Sequence, residues 1–414
     1  MAERITHSAL RMGGRDPGEQ HRAATPLELL FDLTFVIAFG VAANELAHLL
    51  AEDHVVDGLV GFGFAMFAVS WAWIFWSWFA SAFDTDDWLY RLLTMVQMAG
   101  VLVLALGLPA MFDSLKHGEH IDNRVMVLGY VVMRVSMVLQ WWRVSRQSPE
   151  RASTARVMIT SIVVSQAIWC WMAIADLPTS TFFVIALVTV TVELLGPVVA
   201  ERRYAGTPWH PHHIAERYGL LVIITLGEGL LGTMAALAVL VEGGWSSDIV
   251  VLGIAGTVMT FGLWWTYFVV PNGHLLQAHR ERSFGWGYWH IPLFGAVVAI
   301  GAGLHVGAYH LGEEHHVGVA TAVLAVAIPT AAYVLLLYLL YGMFTRTADP
   351  FHLLLLALSG VVVAGAVVMA SGGVDLVWCL LVLALTPWVT VVGYETVGHR
   401  HNERVLEQAL SPRP

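Results

Sequence analysis

The chain has 414 residues, of which 57% are apolar and 13% charged, and it carries a formal net charge of -10 at pH 7. Soluble domains hold nearer a quarter charged residues, so water is not the main solvent of this chain. Lys116 is the only lysine, which removes a P-loop, a Schiff-base lysine in the membrane and a lysine-rich nucleic-acid face; the acidic balance also argues against a nucleic-acid partner.

Residues 1–25 are polar and arginine-bearing and lack an apolar core of signal-peptide length, so they are expected to form a retained, disordered cytoplasmic tail. Twelve mostly apolar stretches of about 20 residues or more then follow, each long enough to cross about 30 Å of hydrocarbon. They run over 27–50, 58–81, 89–112, 123–144, 154–175, 179–200, 213–239, 247–270, 286–310, 317–344, 351–371 and 375–396. Backbone groups must be paired in lipid, so the expected fold is all-α, a polytopic bundle of about twelve transmembrane helices. Seventeen tryptophans suit a protein with two membrane–water interfaces. Cys170 and Cys379 each lie inside an apolar run and read as small hydrophobes, which excludes a disulfide framework or a Cys-rich metal site.

With the N-terminus inside, every Lys and Arg except Lys116, Arg124 and Arg134 falls in a cytoplasmic segment. This positive-inside pattern requires an even number of spans and places both termini in the cytoplasm. Internal similarity is visible as well. Leu33–Gly40 lies over Leu220–Gly227, Phe75–Phe79 over Trp264–Phe268, and Gly100–Val103 over Gly295–Val298, in the same order along the chain. The expected organisation is two tandem six-helix halves of the same orientation, 26–203 and 204–397, followed by a cytoplasmic tail over 398–414.

Ionisable groups inside spans are costly and mark candidate sites. Thr25-Pro26-Leu27-Glu28 reads first as a capping box at the start of the first helix. Asp32, one turn further in, has no capping role, and is expected to serve function or a buried pair. Glu228 is the deepest acid of the seventh helix, flanked by Gly227, Gly229 and Gly232, which permit close packing or local unwinding; it is the first choice for a proton or cation site. Arg134 lies mid-span and Glu193 in the sixth helix; Arg134 is either a counter-ion for an acid or a binder of anionic substrate. Glu216 and Arg217 open the seventh helix and read as a surface pair or a site. The runs His210-Pro211-His212-His213 and Glu313-Glu314-His315-His316 are weak metal signals in loops without a fixed frame, so no metal and no cofactor are expected. His290 and His305 are either proton relays or polar caps. No GxSxG elbow, HExxH or set of histidine boxes is present.

The stretch Thr25–Val36 (TPLELLFDLTFV), together with His213–Glu228 (HIAERYGLLVIITLGE) and Gln97-Met98-Ala99-Gly100-Val101, resembles the bacterial low temperature requirement protein A family. The likeness covers most of residues 22–397, and the recurring motif residues match Glu28, Asp32, Glu216, Arg217, Gly227 and Glu228. The resemblance implies a multi-pass bacterial membrane protein of a family named for a growth phenotype in the cold. A phenotype is not an activity, and it carries no substrate. Two classes compete: a secondary transporter or ion-coupled permease moving a small solute with a proton or cation, and a membrane-embedded enzyme or assembly factor acting on lipid or envelope components.

Overall fold

A computed structural model describes residues 9–19, 22–118, 120–175, 177–242, 244–312, 317–346 and 349–399. The elements in chain order are α1 (Pro26–Ala51), α2 (Val55–Phe83), α3 (Trp88–His117), α4 (Arg124–Gln147), α5 (Ala152–Ile174), α6 (Thr179–Arg203), α7 (Pro211–Glu242), α8 (Ser247–Phe268), α9 (Asn272–Ala278), α10 (Ser283–Leu311), α11 (Val319–Thr345), α12 (Pro350–Ser371), α13 (Leu376–Leu383) and α14 (Thr386–Gly393). Among the described residues twelve helical segments are long and apolar enough to cross a membrane, and there is no strand beyond one isolated bridge between His120 and Pro178. The chain is therefore an all-α, multi-pass membrane protein. Its outward surface agrees: Leu106, Ile174, Leu187 and Val361 are exposed in the isolated chain, as lipid-facing side chains are.

Local chemistry sets several boundaries. Asp87 caps α3, its Oδ1 accepting the Tyr90 N–H at 2.8 Å, and Gly118 closes the same helix in the left-handed region at φ 78°. Asp349 caps α12 ahead of Pro350, accepting from the Phe351 N–H at 3.1 Å. The eighth span ends before Pro271, and the short α9 follows it. The last span, expected as one helix over 375–396, is two: Pro387 in the first turn of α14 cannot donate to a preceding carbonyl, so α13 stops and the chain restarts. A π-helical turn, Tyr394–Gly398, then ends the span.

By density of internal contacts the chain divides into two compact units, Met1–Val41 with Ala68–Ile214, and Ala42–Phe67 with Ala215–Pro414. In the first unit α3, α4, α5 and α6 pack successively. In the second, α10, α11 and α12 do so, while α8 packs on both α13 and α14.

The N-terminal segment departs from expectation. Residues 9–19 and 22–25 are not a loose tail but a strap fixed to the helix ends of the first unit. The Leu10 N–H donates to Asp87 Oδ2 at 2.9 Å, the Met12 N–H to Gln147 Oε1 at 2.7 Å, and the Arg15 N–H to the Ala82 carbonyl at 2.8 Å. Met12 is wholly buried, and Ser148 Oγ donates to its carbonyl at 2.9 Å. Polar composition foretold solvent; main-chain hydrogen bonds to specific partners instead hold the segment. Residues 1–8, 20–21 and 400–414 of the two expected tails lie outside the described residues.

Candidate functional site

Among the described residues, three sets of buried ionisable groups stand out. The first lies where α1 begins. The Thr25 N–H donates to Glu28 Oε2 at 2.7 Å and the Glu28 N–H to Thr25 Oγ1 at 3.3 Å, which is the reciprocal capping box. Capping does not exhaust Glu28. Its Oε2 also lies 3.2 Å from His213 Nε2, and its Oε1 lies 3.8 Å from Arg22 Nη2. Glu28 and His213 are wholly buried, Arg22 nearly so, and Arg22 Nη2 also donates to the Ala80 carbonyl at 2.9 Å. Asp84, in the turn after α2, shares this region: burial first, and the Glu28 charge second, push its carboxyl up to about 6, against the Asp86 N–H, which stabilises the anion. Burial holds the His210 imidazole below its usual value. Next to them, Asp87 meets the opposite fate. Burial alone raises a carboxyl, but the Arg143 guanidinium at 2.6 Å and the Tyr90 N–H outweigh it and hold Asp87 low. Asp84 is thus the group of this set that holds a proton most readily.

Asp32 stands one turn into α1, wholly buried, and accepts from Trp73 Nε1 on α2 at 2.6 Å. Beside it the Phe31 ring stacks on Trp76 at 3.7 Å between centroids. Asp32 thus ties α1 to α2, whatever else it does.

The second set joins α4, α5 and α6. Arg134 Nη2 lies 3.2 Å from Glu193 Oε2 and also donates to the Tyr130 hydroxyl. The Tyr130 hydroxyl donates to Glu193 Oε2 at 2.7 Å, and Trp169 Nε1 to Glu193 Oε1 at 2.8 Å. The Arg134 guanidinium carbon sits 4.7 Å from the Phe75 ring centroid and 4.5 Å from that of Tyr130. Both carboxylate oxygens are satisfied and the cation has a counter-ion and two aromatic faces. The spacing of Tyr130 and Arg134, four apart on one helix, was the one sequence signal for this network.

The third set is a single acid. Glu228 on α7 is 2% exposed, its Oε1 is buried with no hydrogen-bond partner, and no ion pair reaches its carboxylate among the described residues. Small residues bring neighbouring helices onto it. A Cβ on Gly301 of α10 would lie 2.7 Å from the Glu228 carbonyl carbon and 2.8 Å from its Cβ, so only glycine fits there. One turn on, a Cβ on Gly232 would meet the Gly301 carbonyl oxygen at 2.6 Å and His305 Cδ2 at 3.4 Å. Gly229 faces Thr260 of α8 at 3.3 Å by the same construction. Gly227 meets nothing within 4 Å and instead borders an open groove of about 470 Å³, lined by Ile223, Leu226, Phe261, Trp264 and other apolar side chains.

The remaining candidates separate. Arg217 is wholly buried while its neighbour Glu216 is exposed, so the two point to different faces of α7. His213 is not a loop residue, since α7 begins at Pro211 and places it in the first turn. Glu313, Glu314, His315 and His316 lie outside the described residues. Among the described residues no three of His, Cys, Asp and Glu come together as a metal would need. His290 is a core residue rather than an interfacial one: it is wholly buried, Nδ1 donates to the Trp286 carbonyl at 2.8 Å and Nε2 faces the Tyr267 hydroxyl at 3.0 Å. Sequence reasoning missed Asp84, Tyr130, Trp73 and Gly301, which act through contacts between helices.

The chain is 26% identical over 325 residues to an uncharacterized protein of Rhizobium meliloti (strain 1021), covering 73% of each. Residues 23–387 match the model of the bacterial low temperature requirement A protein, so the α1 capping box, the opening of α7 and Glu228 all fall within the match. The chain belongs to the bacterial low temperature requirement A protein (LtrA) family.

Proposed function

We propose that the chain is a secondary transporter or ion-coupled permease of the bacterial inner membrane, in which Glu228 carries the coupling proton or cation. The observation that carries this reading is the Glu228 carboxylate itself, buried in a span without a hydrogen bond to Oε1 and without an ion pair among the described residues. An ionised carboxylate left alone in a low-dielectric interior costs several kcal/mol, so it holds a proton or a bound cation for most of its cycle. The contacts at Gly301 and Gly232 give α7 and α10 backbone-to-backbone proximity there, which suits a helix that shifts or unwinds as the ion leaves. Asp32, Glu28, Glu216 and Arg217 are the accessory ion or substrate groups of this reading, and Arg134 with Glu193 is its scaffold. The two tandem six-helix halves and the cytoplasmic placement of both termini belong to the same proposal, on the sequence repeats and the arginine distribution.

The lateral groove beside Gly227 favours the second reading, an enzyme or assembly factor working on lipid. Its walls, among the described residues, hold no acid, base or nucleophile stronger than the Thr260 hydroxyl, so it supplies surface but not catalysis. The test is purified protein in proteoliposomes carrying an internal pH dye, with small solutes offered one class at a time under an imposed pH gradient. The transporter reading expects one class to move with the gradient. Turnover of a lipid headgroup with no solute moved would replace it by the second.

A further inference from the structure

At one end of the second unit, the closing turns of α8 and α11 and the π-helical turn after α14 meet the first turn of α12 around a cavity of about 50 Å³. Tyr338, Tyr341, Phe351, His352, Thr390 and Tyr394 form half of its wall, and aliphatic side chains supply much of the rest. His352 stands among rings, its centroid 5.1 Å from Tyr341, 5.7 Å from Tyr338 and 6.2 Å from Phe351. The planes are inclined to it by 60°, 66° and 56° respectively, so the three rings meet the imidazole edge-on or tilted rather than stacked, and His352 with these rings bounds one side of the cavity. Asp349, the cap of α12, holds His352 in place with Oδ2 at 3.0 Å from Nδ1. The Tyr338 hydroxyl and Thr390 Oγ1 are 3.0 Å apart. The π-helical turn sets Tyr394 and Gly398 against the same space; such turns recur at functional sites.

The chemistry of this wall selects its occupant. The wall is aromatic and apolar, the tyrosine hydroxyls can accept hydrogen bonds, and among the described residues no lysine or arginine lines the cavity. An anion finds no cationic donor but His352. A strongly hydrated metal ion finds too few oxygens to replace its shell. At roughly 10–15 Å³ for each water-sized group, the space takes about three to five, the size of a methylated ammonium. We propose that this cavity binds an alkylammonium group. The shared chemistry covers a free small amine and the ammonium of a phospholipid headgroup, which reaches the ends of spans.

The test uses the full chain in nanodiscs of phosphatidylglycerol, titrated with tetramethylammonium chloride against sodium chloride at equal ionic strength, with thermal stabilisation and tyrosine fluorescence as readouts. Saturable binding is expected for the wild type and for Tyr341→Phe, weakened about ten-fold in Tyr341→Leu and Tyr394→Leu, because only the leucines remove a π face. In phosphatidylethanolamine discs a headgroup occupant competes and weakens the apparent affinity, whereas a free-amine site leaves it unchanged; either result upholds alkylammonium recognition and names the source. Absence of saturable binding to folded wild type in phosphatidylglycerol overturns the proposal. So do leucine variants that fold and bind as tightly as wild type, and if Tyr341→Leu does not fold, Tyr394→Leu decides alone.

Discussion

Two buried carboxylates, Glu193 in the first unit and Glu228 in the second, are matched in burial and opposite in company. Glu193 accepts from Tyr130 and Trp169 and faces Arg134 at 3.2 Å; Glu228 has a buried oxygen without a hydrogen bond and no ion pair among the described residues. A buried charge with its counter-charge and hydrogen bonds in place is a scaffold, since nothing is gained by its moving. One left without them needs a partner from outside the protein, and a proton or cation is the partner that a carboxylate takes. On the proposed reading, burial alone does not mark function in this chain; the missing counter-charge at Glu228 does.

The largest effect is expected at the scaffold. Arg134→Ala leaves Glu193 buried without its cation and is expected to cost about 3–5 kcal/mol, read as loss of folded protein in detergent thermal melts. Arg134→Met combined with Glu193→Met removes both charges and should recover much of that loss. A single variant as stable as wild type would make the network ornamental. Gly301→Leu is next. Its Cβ would start 2.7 Å from the Glu228 backbone, so α7 and α10 must part at about 1–3 kcal/mol, whereas Gly227→Ala, with nothing within 4 Å, should be tolerated. Equal melting temperatures for the two would contradict the close contact.

Asp84 sharpens the contrast from the aqueous end. Its folded value of about 6 exceeds the ordinary 3.8, so the group favours folding below pH 4 and opposes it progressively as pH rises through 6. Asp84→Asn keeps an acceptor for the Asp86 N–H and should match wild type at pH 4 yet exceed it by about 2 kcal/mol at pH 8, measured by melts across that range. A gap that does not change with pH would remove Asp84 from the titrating set. The smallest stability effect is expected at Glu228 itself. Glu228→Gln removes the ionisable group and keeps the shape, so the melt should stay within about 1 kcal/mol of wild type or rise.

Much of this was legible in the sequence, and what was not has a common cause. The spans follow from runs of apolar residues, and the capping box at Thr25 and Glu28 from spacing within one turn, because both are local. Glu228 and its glycines stood out because an acid among small residues in a hydrophobic run is anomalous by itself. The pairing of Arg134 was readable as a choice between counter-ion and ligand, and only inter-helix geometry selects Glu193. His213 looked like a loop histidine because Pro211 opens α7 earlier than hydropathy suggests, which hid its contact with Glu28. The polar composition of the N-terminal strap suggests disorder because main-chain hydrogen bonds to Asp87, Gln147 and Ala82 have no compositional signature. Gly301 was silent for the same reason, since its meaning lies in the helix opposite.

The central claim is that Glu228 carries the coupling ion. Its most direct test is ion flux into proteoliposomes of wild type and Glu228→Gln, measured with a pH dye and with sodium and potassium indicators in parallel, under the gradient and solute to which the wild type responds. The account expects the variant to insert and melt like wild type while coupled flux of one cation is lost. Undiminished, pH-dependent coupled flux in Glu228→Gln would contradict it.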